Sequence, residues 1–217
     1  MFELSLNNAR EPKCVLLIGA HCDDLEIGCG GTVLQMAGRW PGAKFVWITL
    51  SSDAERALET RLAAQNLLMP AVNQVVLVES FRASYFPHDW AAMKDYFETL
   101  KAHKPDLILT HCRGDLHQDH RIINELTWNT FRDHLILEYE IPKFDGDLGV
   151  PNMFVPMSRQ ILEQKIQILL DSFHSQKHRH WFTRNTFEAI ARLRGIECNA
   201  ADGFAEAFYC RKGRLLL

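Results

Sequence analysis

An apolar run from Cys14 to Ala20 stops abruptly at His21-Cys-Asp-Asp-Leu-Glu26, and Gly28-Cys-Gly-Gly31 follows at once. A short, β-branched run of this kind fits a strand buried on both faces, which a parallel sheet covered by helices provides. In open α/β sheets ligands bind outside the carboxyl ends of the strands, and that is where His21, Asp23, Asp24 and Glu26 arrive. If a helix begins after Cys22, His21 and Asp24 lie three positions apart and can face one point.

The rest of the chain repeats the pattern. Strands are expected at 44–50, 74–79 and 107–110, with helices between them, the third spanning about 89–103. Such alternation argues for an α/β fold with a mostly parallel central sheet and helices on both faces. The strand at 107–110 feeds His111-Cys-Arg-Gly-Asp-Leu-His-Gln-Asp-His120. One imidazole from this cluster, added to His21 and Asp24, makes a two-His, one-carboxylate set suited to a catalytic zinc with an open position for water. Further on, a helix is expected at 121–132, a strand at 136–142, a loop at 145–153, helices at 156–173 and 181–193, and a last strand at 204–210. The aromatic stretch 81–90 could wall a pocket, since aromatic faces suit sugar rings. The basic aromatic stretch 177–181 reads as a solvated face.

At 217 residues the chain suits one well-buried domain, 1–217, and is short for two. A net charge of −3 gives no general attraction for nucleic acid or anionic membranes. The first ten residues have acidic and polar groups where a signal peptide needs a basic start and an apolar core, and no run reaches a membrane span of about 18 apolar residues, so the cytoplasm is the expected location. There the six cysteines should be reduced, and Cys22 and Cys112 are expected to be small buried thiols rather than metal ligands.

His21-Cys-Asp-Asp24 with Gly28-Cys-Gly-Gly31, paired with Asp115-Leu-His-Gln-Asp-His120, resembles the PIG-L/LmbE-like family of zinc-dependent N-deacetylases. Arg56-Ala-Leu-Glu59 is similar to the family's Arg-x-x-Glu segment, and Ala205-Glu-Ala-Phe208 to its closing strand. Cys22 stands where members usually carry proline, and Phe173 where a histidine commonly precedes a Ser-Gln pair. The resemblance implies a Rossmann-like three-layer sandwich and one Zn²⁺ per chain, held by His21, Asp24 and His120. Asp23 is then the general base. His117 is the general acid or the donor to the oxyanion, Arg56 a substrate contact, and Asp119 or Asp115 the carboxylate that orients an imidazole. The implied substrate is a small N-acetylated amino sugar or a conjugate of one, cleaved to acetate and a free amine. A metal-dependent phosphoester hydrolase and a sugar-binding protein without catalysis are the rival readings. The sugar, the physiological metal and the oligomeric state, a homo-oligomer included, are left open.

Overall fold

The computed structural model describes residues 11–214, so the polar amino-terminal stretch read above lies outside the described residues. Seven strands form one sheet in the order β3-β2-β1-β4-β5-β7-β6. They are β1 Cys14–His21, β2 Lys44–Ser51, β3 Asn73–Val78, β4 Leu107–His111, β5 Leu135–Tyr139, β6 Met153–Met157 and β7 Phe204–Tyr209. The first five run parallel, while β7 is antiparallel to both β5 and β6. The helices are α1 Asp24–Arg39, α2 Ala54–Leu68, α3 Trp90–Leu100, α4 Gln118–Thr130, α5 Arg159–Ser172 and α6 Arg184–Glu197.

Because strand side chains alternate, the two faces of the central strands feed different cores. Val15, Leu17, Phe45, Trp47 and Leu109 pack with Leu34 of α1, Leu67 of α2, Leu169 of α5 and Phe187 of α6. Leu16, Ile18, Val46, Ile48 and Ile108 pack with Met93 and Phe97 of α3 and with Ile123 and Leu126 of α4. The result is the expected three-layer arrangement. The strand order runs outward in both directions from β1, through β2 on one side and β4 on the other. In sheets of this kind such a reversal marks the ligand site, beyond the carboxyl ends of β1 and β4, and there His21 and His111 sit.

The strand expected at 136–142 ends already at Tyr139, α4 begins at Gln118 rather than 121, and two further boundaries differ more. Residues 153–157, expected as the end of a loop and the start of a helix, form β6, and Pro156 pairs with Ala205 in it. Proline is tolerated there because β6 is the outermost strand. α5 therefore starts only at Arg159, where the Ser158 side chain accepts from Ile161 N. Likewise α6 starts at Arg184 rather than Trp181, because the Thr183 side chain caps it by accepting from Thr186 N.

The glycines after Glu26 are explained by packing. A Cβ on Gly28 would lie 2.3 Å from Tyr139 Cδ2, and one on Gly31 would lie 2.8 Å from Met157 Sδ. This closeness lets a buried ion pair reach the backbone of α1. Lys165 Nζ donates to Ile27 O at 2.7 Å and to Glu206 Oε1 at 2.6 Å, while the Glu206 carboxylate accepts from Gly31 N and Thr32 N at 2.8 and 2.6 Å. Glu206→Gln strands the buried ammonium, so it should lower unfolding free energy by about 3 kcal/mol. Urea denaturation measures this, and an unchanged midpoint would show that the pair does not hold α1.

Candidate active site

The loop from β1 into α1 carries the first half of the site. Asp23 has φ 86°, a left-handed conformation that costs a residue other than glycine or asparagine on the order of 1 kcal/mol. Its side chain makes no capping bond to α1. Instead Asp24 Oδ2 accepts from His21 N at 2.8 Å and closes the turn. Both carboxylates are buried. Asp24 thus faces His21, as the spacing suggested, and Asp23 is left beside Arg56. Arg56 Nη2 donates to Cys22 O at 2.6 Å and to Asp23 Oδ1 at 3.3 Å.

The second half comes from the turn before α4. His120 Nε2 lies 3.3 Å from His21 Nδ1 and 3.5 Å from Asp24 Oδ2, and His21 Nδ1 lies 3.6 Å from Asp24 Oδ2. Tetrahedral zinc with bonds of about 2.0–2.2 Å has ligand–ligand edges of about 3.3–3.6 Å, so these three donors fit one such ion. His21, His117 and His120 also bring donor atoms within 4.8 Å of one another, as do Asp24, His111 and His120. His111 is already engaged on three sides: its Nε2 lies 3.0 Å from Ala20 N, 3.1 Å from Asp24 Oδ2 and 3.2 Å from Tyr139 Oη. Cys22 and Cys112 are buried and belong to neither donor group.

The two acidic residues left unresolved by the sequence support different imidazoles. Asp119 Oδ2 lies 2.9 Å from His21 Nε2 and accepts from Ser84 N at 2.6 Å, so it also pins the aromatic stretch 81–90 behind the site. Asp115 Oδ2 lies 2.8 Å from His120 Nδ1, and its Oδ1 accepts from His117 N at 2.8 Å. A carboxylate on the far nitrogen fixes an imidazole's tautomer and turns the near nitrogen's lone pair toward a metal. His117 is half-buried at the start of α4, and its Nδ1 accepts from Asp119 N at 3.3 Å. That bond leaves Nε2 as the protonated, donating nitrogen of the neutral ring.

Electrostatics separate the groups further. Burial opposes charge on His21, but hydrogen bonds to Asp119 and Asp24 outweigh it and raise its pKa to about 9. The carboxylates therefore make this point receptive to a cation. Burial raises Asp23 to about 7, partly offset by the Arg56 guanidinium, while for Asp24 burial is overcome by His120 and His111, which hold it well below the usual range. Burial and the neighbouring His111 lower His120 to about 4, and burial with the His21 charge lowers His117. Two adjacent aspartates are thus driven apart, one toward a permanent anion and one toward a group that exchanges a proton near neutrality.

The residues that the sequence reading missed lie late in the chain. Lys143 Nζ is 3.0 Å from Asp115 Oδ2, and Glu206 holds α1 from β7. A glutamate inside the otherwise apolar Phe204-Ala-Glu-Ala-Phe208 was the available signal for the second. The family's Arg-x-x-Glu and Ser-Gln segments also meet. Glu59 accepts from Ser175 N and Oγ at 2.8 and 2.6 Å, while Phe173 is core packing against Phe182.

Solved structures with this fold include the N,N'-diacetylchitobiose deacetylase of Pyrococcus horikoshii, 20% identical with a TM-score of 0.74 over 94% of this chain and 86% of that one. Another is the zinc inhibited form of teicoplanin deacetylase, at 15%, 0.70, 90% and 97%. A third is the 4-carboxy-2-hydroxymuconate hydratase of Pseudomonas putida, at 15%, 0.71, 94% and 98%. At these identities the likeness establishes the fold. No curated protein sequence matches. No helix among the described residues is long and apolar enough to cross a membrane. The family profile for PIG-L, GlcNAc-PI de-N-acetylase, matches residues 16–131, a span that contains both polar clusters. With more than half its length matched, the chain belongs to the PIG-L family.

Proposed function

We propose that the protein hydrolyses the N-acetyl group of an amino sugar or amino-sugar conjugate, releasing acetate and a free amine. His21, Asp24 and His120 would hold one Zn²⁺. The observation that carries the reading is the division of labour between Asp23 and Asp24. One carboxylate joins two imidazoles in a compact donor set, while its neighbour is kept out of that set by a left-handed backbone. When bound, the metal supplies an acidified water and polarises the amide carbonyl.

The chain's own groups then account for the proton movements. Asp23 accepts the proton of the attacking water, and its raised pKa makes it a stronger base than a solvated carboxylate. His117 Nε2–H donates to the tetrahedral oxyanion, and the proton that Asp23 has taken from the water is the one it passes on to the departing amine. Asp119 and Asp115 hold the two ligand imidazoles in place. The six free cysteines support a reducing, cytoplasmic setting, and one domain over 1–217 fits the single sheet.

Arg56 serves two ends. Its Nη2 is committed to Asp23 and the Cys22 carbonyl, while a quarter of the side chain stays exposed, so the guanidinium can also meet a substrate oxygen. Arg56→Ala should therefore lower kcat and raise KM together, each by about tenfold, the cost of one charge-assisted hydrogen bond. Steady-state kinetics on a good substrate test this. An unchanged KM removes the substrate contact, and an unchanged kcat removes the influence on Asp23.

Because a hydratase shares the fold, the bond acted on must be established directly. Zinc-loaded protein should be offered a panel of N-acetyl amino sugars and their conjugates, with acetate and free amine measured. Equal amounts of both are expected. Turnover of a phosphoester, or hydration without acetate release, would replace this reading.

A further inference from the structure

Lys143 lies in the loop after β5, in the stretch Ile141-Pro-Lys143, and no motif singles it out. Its ammonium is largely buried between two carboxylates, 3.0 Å from Asp115 Oδ2 and 2.5 Å from Asp147 Oδ2. Asp147 in turn accepts from Leu116 N at 2.6 Å. The amine and two carboxylates therefore stitch the loop at 143–147 to the turn at 115–117, immediately ahead of His120.

We propose that Lys143 is a positioning residue for the metal centre, holding Asp115 so that His120 presents Nε2 to the ion. The inference rests on the metal-site reading above. The Asp115 side chain is almost wholly buried and has three partners: His117 N on Oδ1, and His120 Nδ1 and Lys143 Nζ together on Oδ2. Among these Lys143 brings the one permanent cation, and His120 is the group to be aimed. A buried carboxylate with only neutral donors is poorly compensated, and it can turn or take a proton instead of accepting from an imidazole. With the ammonium fixed on Oδ2, the same oxygen is tethered beside His120 Nδ1. Among the described residues Asp119 has no lysine or arginine paired with it. Two backbone donors, Ser84 N and Phe86 N, hold it against His21. The two ligand imidazoles are thus supported by different devices, and removing Lys143 acts on one of them.

The test is zinc affinity, measured by competition with a chromophoric chelator, for the wild type, Lys143→Met, Asp115→Asn and the double variant. Apo-protein thermal unfolding is followed alongside. Lys143→Met should bind zinc 10–100-fold more weakly, the usual cost of losing an outer partner of a metal ligand. In the Asp115→Asn background the same change should alter affinity by no more than about twofold, because the route through Asp115 is already cut. Wild-type affinity in Lys143→Met overturns the inference. So does an equal loss in both backgrounds, which would mean that Lys143 supports the fold at large. If Lys143→Met yields no folded apo-protein, Lys143→Gln takes its place, judged by the same two comparisons. A wild-type protein that binds no zinc overturns the metal-site reading and this inference together, whereas zinc binding insensitive to Lys143 overturns this inference alone.

Discussion

Asp23→Asn is expected to retain one metal ion per chain and to lower kcat by about 10²–10⁴-fold, the span that a positioned general base contributes. The substitution keeps the shape of the side chain and an acceptor for Arg56 Nη2, so the turn into α1 should survive. Asp23 belongs to neither donor group, so the coordination set is unchanged. What disappears is the ability to accept a proton. Burial strengthens that ability by raising Asp23 to about 7, and Arg56 moderates it. Acetate release and metal analysis on the same preparation decide the matter. A variant with full metal and nearly full rate would assign the base elsewhere, and one without metal would make Asp23 a ligand.

How far such a site can be read before the fold is known depends on which contacts are local. His21 and Asp24 are three residues apart at a strand end, so sequence spacing alone puts them together. The strands around them announce themselves through continuous apolar runs, because both faces are covered. The roles of Asp115 and Asp119 were not legible. Both lie within five residues of His117 and His120, and only the turn geometry sends one to His120 and the other across to His21. Lys143 was invisible for a different reason. Its partner lies 28 positions earlier and on another loop, and a lone lysine after a proline has no distinguishing pattern. β6 was misread because Pro156 and the glycines before it signal a loop, and only the pairing with β7 rescues the segment as an edge strand. Arg56 was expected to meet substrate, yet its guanidinium is first of all a partner of Asp23.

The largest change in composition should come from the donor set itself. His120→Ala, His21→Ala and Asp24→Ala are each expected to leave less than about a tenth of a zinc ion per chain after gel filtration, since two remaining donors cannot make a catalytic site. His111→Ala is the decisive contrast. Its imidazole is fully buried and stacks on His120 with ring centroids 3.9 Å apart, close enough to look like a ligand. Its Nε2 is nevertheless already surrounded, by Ala20 N at 3.0 Å, Asp24 Oδ2 at 3.1 Å and Tyr139 Oη at 3.2 Å, and among the described residues its buried Nδ1 has no partner. A ring engaged in this way ties the end of β1 to β4 and is expected to serve there instead of holding the ion. His111→Ala should therefore keep its zinc while losing about 2 kcal/mol of stability, from the cavity and from the unpaired Ala20 N–H it leaves behind. If His111→Ala empties the site and His21→Ala does not, the ion belongs to the set Asp24, His111 and His120. His21 would then be left free to act on substrate, and its bond to Asp119 would have to be read as part of a proton path.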